Sequence, residues 1–155
     1  MHTPSNDPVT LSRITIFPVK SLDGMNLNSC ELLPEGGLRG DREFALVDPN
    51  GDFVNAKRHV EIHKIRTTYD LASNVIRLGV EGLDDTLDLF DLNEHNDALA
   101  QWLSDYFGFN VRLIRDAKCG FPDDPHRPGP TVVSTATLDT VASWFAEMDL
   151  DEARR

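Results

Sequence analysis

A lysine and a serine follow directly on an apolar run in Phe17-Pro-Val-Lys-Ser21. Lysine carries a point positive charge and serine a hydroxyl donor, a pairing that suits a phosphate. A second basic group sits in Gly37-Leu-Arg-Gly-Asp-Arg42. Its glycines allow a sharp turn, Arg42 offers a planar fork to an oxyanion, and Asp41 is placed to orient one of the arginines. A third set is Ala56-Lys-Arg-His59 running into Val60-Glu-Ile-His63. In a strand, His59, Glu61 and His63 would share one face, and two imidazoles with a carboxylate are a zinc ligand set. Each motif has a plain alternative: a lysine in a turn, a surface Asp–Arg pair of small energetic weight, and histidines that face water.

Other chemistries lack support. There is no G-x-S-x-G, Walker loop, G-x-G-x-x-G or Cys-x-x-Cys, so nucleophilic hydrolysis and nucleotide binding have no motif behind them. Asp48-Pro-Asn-Gly-Asp52 lacks the remaining ligands of a calcium loop. The two cysteines, Cys30 and Cys119, are too few and too far apart for a disulfide framework or a Cys-ligated zinc site. The net charge of −11 argues against nucleic acid as a partner, because a phosphate backbone calls for a basic face. The acidity is uneven. The first 70 residues hold 8 Lys/Arg and 10 Asp/Glu, and the remainder holds 7 and 16, so the first half can carry a local basic site. Glu81 to Asp97 holds seven acidic residues and no Lys or Arg, the pattern of a solvated face or of a docking patch for a basic partner. No run approaches the roughly 20 apolar residues that span a bilayer, and the polar start lacks a secretory h-region, so a cytoplasmic location without membrane attachment is expected.

The elements that must position these residues are mostly strands. Leu11 to Phe17 reads as a strand with Ile14 and Ile16 on one face, stopped by Pro18. Further strands are expected at Ser29–Leu33, Glu43–Val47, Ile62–Leu71, Val75–Val80, Thr86–Phe90 and Val111–Ile114. Pro34-Glu-Gly-Gly37 is a turn, and Asp-Pro-Asn-Gly after Val47 is a hairpin signal. Asn96 to Phe107 changes to a helical period through Leu99, Trp102, Leu103, Tyr106 and Phe107, closed by Gly108. Asp116–Pro130 is a Pro/Gly/Asp-rich linker or crossing segment. Thr131–Ser134 reads as a short strand and Thr137–Phe145 as an amphipathic helix with Leu138, Val141, Ala142 and Phe145 on one face. The fold class is mainly β (α+β). Residues 1–10 form a flexible lead-in, 11–115 a β-barrel-like domain with one internal helix, 116–130 a linker, and 131–155 the first strand and helix of a second domain.

In this order, Ile16-Phe-Pro-Val-Lys-Ser21, Gly37-Leu-Arg-Gly-Asp-Arg42, Leu46-Val-Asp-Pro-Asn-Gly-Asp-Phe-Val54 and Ala56-Lys-Arg58 resemble the N-terminal β-barrel domain of the MOSC family. These are relatives of the C-terminal domain of molybdenum cofactor sulfurase, and they include the amidoxime-reducing component. Phe17 replaces the family's tyrosine. Gly129 to Leu138 is similar to the opening of the MOSC domain proper, with Thr137 where a second serine usually stands. The resemblance implies that Lys20, Ser21 and Arg42 contact the anionic end of the molybdenum cofactor (molybdopterin), with Arg58 as a weaker candidate. It also implies that the cysteine that ligates the metal lies beyond the truncated MOSC segment. Neither Cys30 nor Cys119 holds that cysteine's place, so no catalytic or metal-ligating residue is assigned; the chain alone is expected to be inactive, with the cofactor expected in the complete protein and its binding to this chain left open.

Three functional readings stay open. In the first, the chain is part of a molybdenum-cofactor protein that reduces N-hydroxylated compounds, served by a flavin or iron–sulfur redox partner, or that handles the cofactor's sulfur. In the second, it is a non-catalytic β-barrel interaction module with a vestigial cofactor site. In the third, it is a zinc enzyme that uses His59, Glu61 and His63. The apolar face of the last helix is also expected to fold back on the barrel or to drive self-association.

Overall fold

The structure is a computed structural model that describes residues 8–83 and 86–145. In chain order it contains β1 (Ile14–Ile16), β2 (Met25–Leu27), β3 (Phe44–Val47), a 3-10 helix (Val60–Lys64), β4 (Ile65–Asp70), β5 (Val75–Val80), β6 (Asp88–Asp91), α1 (Asp97–Phe107), β7 (Arg112–Arg115) and α2 (Thr135–Ala142). The chain is mainly β with two short α-helices. No helix among the described residues is long and apolar enough to cross a membrane. Most of the expected lead-in, and residues 146–155 of the expected second domain, lie outside the described residues.

The strands form three small antiparallel sheets: β1 with β2, β3 with β7, and the meander β4-β5-β6. β3 is buried at all four positions, and it pairs with a strand far along the chain, Phe44 opposite Arg115 and Val47 opposite Arg112. The β4–β5 hairpin runs in register from Ile65↔Val80 to Asp70↔Val75. One core joins the β3–β7 and β4-β5-β6 sheets, with Leu46 of β3, Ile65 of β4, Ile76 and Leu78 of β5 and Leu113 of β7 meeting Leu99 and Leu103 of α1. α1 has the expected ends. Asn96 accepts a hydrogen bond from the Leu99 N–H, and Gly108 takes the left-handed conformation (φ 74°) that lets its N–H reach the Ser104 carbonyl.

Five expected elements differ. The first strand covers only Ile14–Ile16 of the expected Leu11–Phe17. The second strand is Met25–Leu27, not Ser29–Leu33. Gly24 lets the chain double back under β1, where a Cβ would come within 2.9 Å of Thr15 Cγ2 and 3.0 Å of the Ile16 carbonyl. The Ser29–Leu33 run makes only a single bridge, Leu32 to Leu38, around the Pro34–Gly37 turn. The strand expected from Ile62 begins at Ile65, because Val60–Lys64 winds into a 3-10 helix whose buried residue is Ile62. Thr131–Ser134 is exposed and joins no strand among the described residues. The last helix starts earlier and ends earlier than expected. Ser134 caps it by accepting from the Thr137 N–H, Leu138 is its buried residue, and Phe145 lies beyond its end, 53% exposed.

Candidate functional site

Pro18 ends β1, and the chain then runs beside the segment that leads into β3. Three backbone hydrogen bonds zip the two together: Arg42 N–H to the Phe17 carbonyl (2.6 Å), Phe44 N–H to Pro18 (3.0 Å) and Lys20 N–H to Phe44 (2.8 Å). This pairing brings the lysine–serine motif against the aspartate–arginine motif. Lys20, Ser21 and Arg42 line one cleft of about 330 Å³, together with Phe17, Asp41 and Asp123.

Asp41 staples the zipper. Its Oδ1 accepts the Phe17 N–H at 2.8 Å, and its Oδ2 accepts Arg42 Nε at 2.9 Å and Nη2 at 2.7 Å. Both guanidinium nitrogens meet the single Oδ2, so the aspartate orients the Arg42 fork from one side through one oxygen. Ser21 (φ 69°) and Arg42 (φ 51°) both hold left-handed backbone conformations without being glycine. Such conformations cost about 1–2 kcal/mol each and cluster at functional sites.

Lys20 is 8% exposed. Its ammonium donates to the Phe121 carbonyl (2.9 Å) and to Asp123 Oδ1 (2.6 Å), and it lies 5.5 Å above the centre of the Phe53 ring. Phe53 also meets Phe121 edge to face at 5.8 Å. The hydrogen bond from Lys20 holds the Asp123 carboxyl below the ordinary aspartate value; burial opposes it, and the charges of Lys20, Arg42 and Lys57 add to the lowering. The Asp116–Pro130 segment is thus bonded across the cleft. Asp123 and Phe121 carried no signal in the sequence, because their contacts with Lys20 span more than a hundred positions.

The other candidates lie elsewhere. Arg58 pairs with Asp52 at 2.7 Å on the surface of the hairpin and is not among the residues lining the cleft. The zinc set does not assemble. His59 Nδ1 lies 3.5 Å from Glu61 Oε1, but Val60–Lys64 winds into a 3-10 helix instead of a strand, so the three side chains no longer share a strand face. His59 packs against Phe109 (5.1 Å between ring centres) and Phe107 (6.0 Å), and His63 is exposed. Among the described residues no group of three His, Cys, Asp or Glu side chains could hold a metal ion. Cys30 bonds weakly to the Arg39 carbonyl and Cys119 is exposed, and neither lines the cleft.

A small β domain whose chain crossing gathers a lysine, a serine and an arginine in one cleft is the class this structure defines. The profile of the MOSC N-terminal beta barrel domain matches residues 8–110, and the chain belongs to that family. It is 29% identical over 124 residues to molybdenum cofactor sulfurase 2 of Aedes aegypti, covering 71% of this chain and 16% of that protein. It is 36% identical over 91 residues to molybdenum cofactor sulfurase 3 of the same organism, covering 58% and 12%. With the molybdenum cofactor sulfurase of Danio rerio it shares 30% identity over 127 residues, covering 68% and 15%. The chain therefore matches less than a fifth of the length of these relatives. No solved structure matches it.

Proposed function

We propose that the cleft holds the phosphate end of the molybdenum cofactor, and that the protein to which this domain belongs works on that cofactor's sulfur. The observation that carries this reading is the zipper that places Lys20, Ser21 and Arg42 in one cleft, with Ser21 and Arg42 held at positive φ. The donor set fits a phosphate: one buried point charge, one hydroxyl and one oriented guanidinium. When bound, the cofactor would supply the metal and sulfur chemistry. The chain's own residues would bind and orient its anionic end, Lys20 and Arg42 through charge and Ser21 through its hydroxyl. The names of the relatives favour sulfur handling over the alternative, reduction of N-hydroxylated compounds with electrons from a flavin or iron–sulfur partner.

The test is cofactor retention. In the complete protein, Arg42→Ala should lower the molybdenum and phosphate that co-purify with the chain, with folding checked by circular dichroism. Unchanged cofactor content in a folded variant makes Arg42 structural and removes it from the site.

A further inference from the structure

We infer that the chain fills its own anion site: the Asp123 carboxylate is a built-in competitor for Lys20, and only an anion of higher charge displaces it. This inference rests on the reading of the cleft given above.

The segment that carries Asp123 is a strap fixed at both ends. At its start the Asp116 N–H bonds to the Glu43 carbonyl (2.9 Å) and the Phe121 N–H to the Arg42 carbonyl (2.8 Å). Gly120 (φ 62°) lies so close to the zipper that a Cβ would stand 2.8 Å from the Asp41 carbonyl and 3.0 Å from that of Arg42. At its far end Pro128 and Gly129 lie beside the Gly36–Gly37 turn, and Pro130 and Thr131 border the cleft. Between these ends Asp123 reaches in to Lys20. The pair is lopsided: the lysine side chain is 9% exposed and the aspartate 80%. The cation belongs to the body of the domain, and the carboxylate can withdraw into water without breaking the core.

Charge then decides what replaces it. A carboxylate brings one negative charge to Lys20. A phosphate monoester brings about 1.5 to 2 negative charges at neutral pH and three acceptor oxygens. A free monocarboxylate only equals Asp123, and it also loses translational freedom that the tethered residue has already lost. Asp123 therefore sets a threshold that admits phosphates and rejects carboxylates, although both would suit Lys20 and Arg42.

Inorganic phosphate and acetate are the probes, followed through the amide signals of Gly120, Phe121, Asp123 and Asp124 at pH 7.5. D123N keeps the shape and removes the competing charge. It should tighten phosphate binding about two- to fivefold, the scale of a partly exposed ion pair, and should narrow the preference for phosphate over acetate. D124N is the charge control. It removes the same charge one residue along and keeps the local turn in which Asp124 accepts the His126 N–H. Its effect should stay within about 1.5-fold, because Asp124 is bonded to the His126 N–H and makes no contact with Lys20. Equal effects of D123N and D124N, with phosphate binding still lost in R42Q, would overturn the competitor and leave the cleft reading standing. Absence of phosphate binding in the unsubstituted chain and in D123N alike would overturn both.

Discussion

The cleft between β1 and β3 and the 3-10 helix before β4 each carry a cluster of chemically able side chains, and the backbone treats them in opposite ways. Lys20 and Arg42 are distant in sequence, yet three interstrand hydrogen bonds deliver them to one surface. His59, Glu61 and His63 are near neighbours in sequence, yet across the 3-10 helix only His59 and Glu61 meet, at 3.5 Å, and the three form no metal-holding group. Convergence depends on the ladder between segments and not on closeness along the chain. The first cluster is held by buried bonds and strained dihedrals. In the second, His59 is tied up in aromatic packing and His63 faces solvent.

That contrast is easiest to break at its staple. Asp41→Ala removes three acceptor contacts from a side chain that is 10% exposed and leaves Arg42 without its partner. Urea denaturation should show a loss of about 2–4 kcal/mol, the scale of a mostly buried pair broken from one side. A loss below about 0.5 kcal/mol would mean that the zipper holds without Asp41. Gly120→Ala should cost less, about 2 kcal/mol, from the left-handed backbone and the close Asp41 carbonyl. It should also raise hydrogen exchange at Phe121, whose N–H bonds to Arg42.

A pH titration sharpens the comparison further. Asp123 has a carboxyl lowered first by its hydrogen bond to Lys20. A lowered folded value means that the contact stabilises the strap fully above the ordinary aspartate range and is lost as pH falls through the depressed value. The amide signals of Phe121 and Asp123 should therefore stay constant through about pH 5 and shift only below about pH 4. D123N should remove that step. The smallest effect is expected at the helix: His63→Ala should change stability by less than about 0.5 kcal/mol, and added zinc should leave the unfolding midpoint where it was.

Much of the fold was legible because local signals and tertiary context agree. Val75–Val80 was expected and is found over the same residues, and the ends of α1 follow from Asn96 and Gly108. Met25–Leu27 was not legible. A three-residue strand with a polar centre carries almost no periodicity, and its place depends on Gly24 passing close under β1. The isolated apolar pair Val132–Val133 suggested a strand, but a strand also requires a partner edge, which no local pattern reports. Within the cleft, residue types pointed to Lys20, Ser21 and Arg42 through the family motifs, and Asp41 was expected to orient an arginine. Asp123 was invisible, since an ion pair between such distant positions exists only once the strap has folded across.

The two tryptophans sit in unlike surroundings, and this gives the domain a pair of optical reporters. Trp102 stacks on Tyr106 at 5.9 Å and donates to Asp88, whereas Trp144 is 69% exposed just past α2. Trp102→Phe leaves a chain whose emission reports the tail alone, and Trp144→Phe one that reports the β core. If both signals change at the same denaturant concentration, α2 melts with the β core as one cooperative unit. If Trp144 changes first, the tail is a separate unit. A blue shift of Trp144 as protein concentration rises would mark self-association through that face, read from the colour of a single side chain.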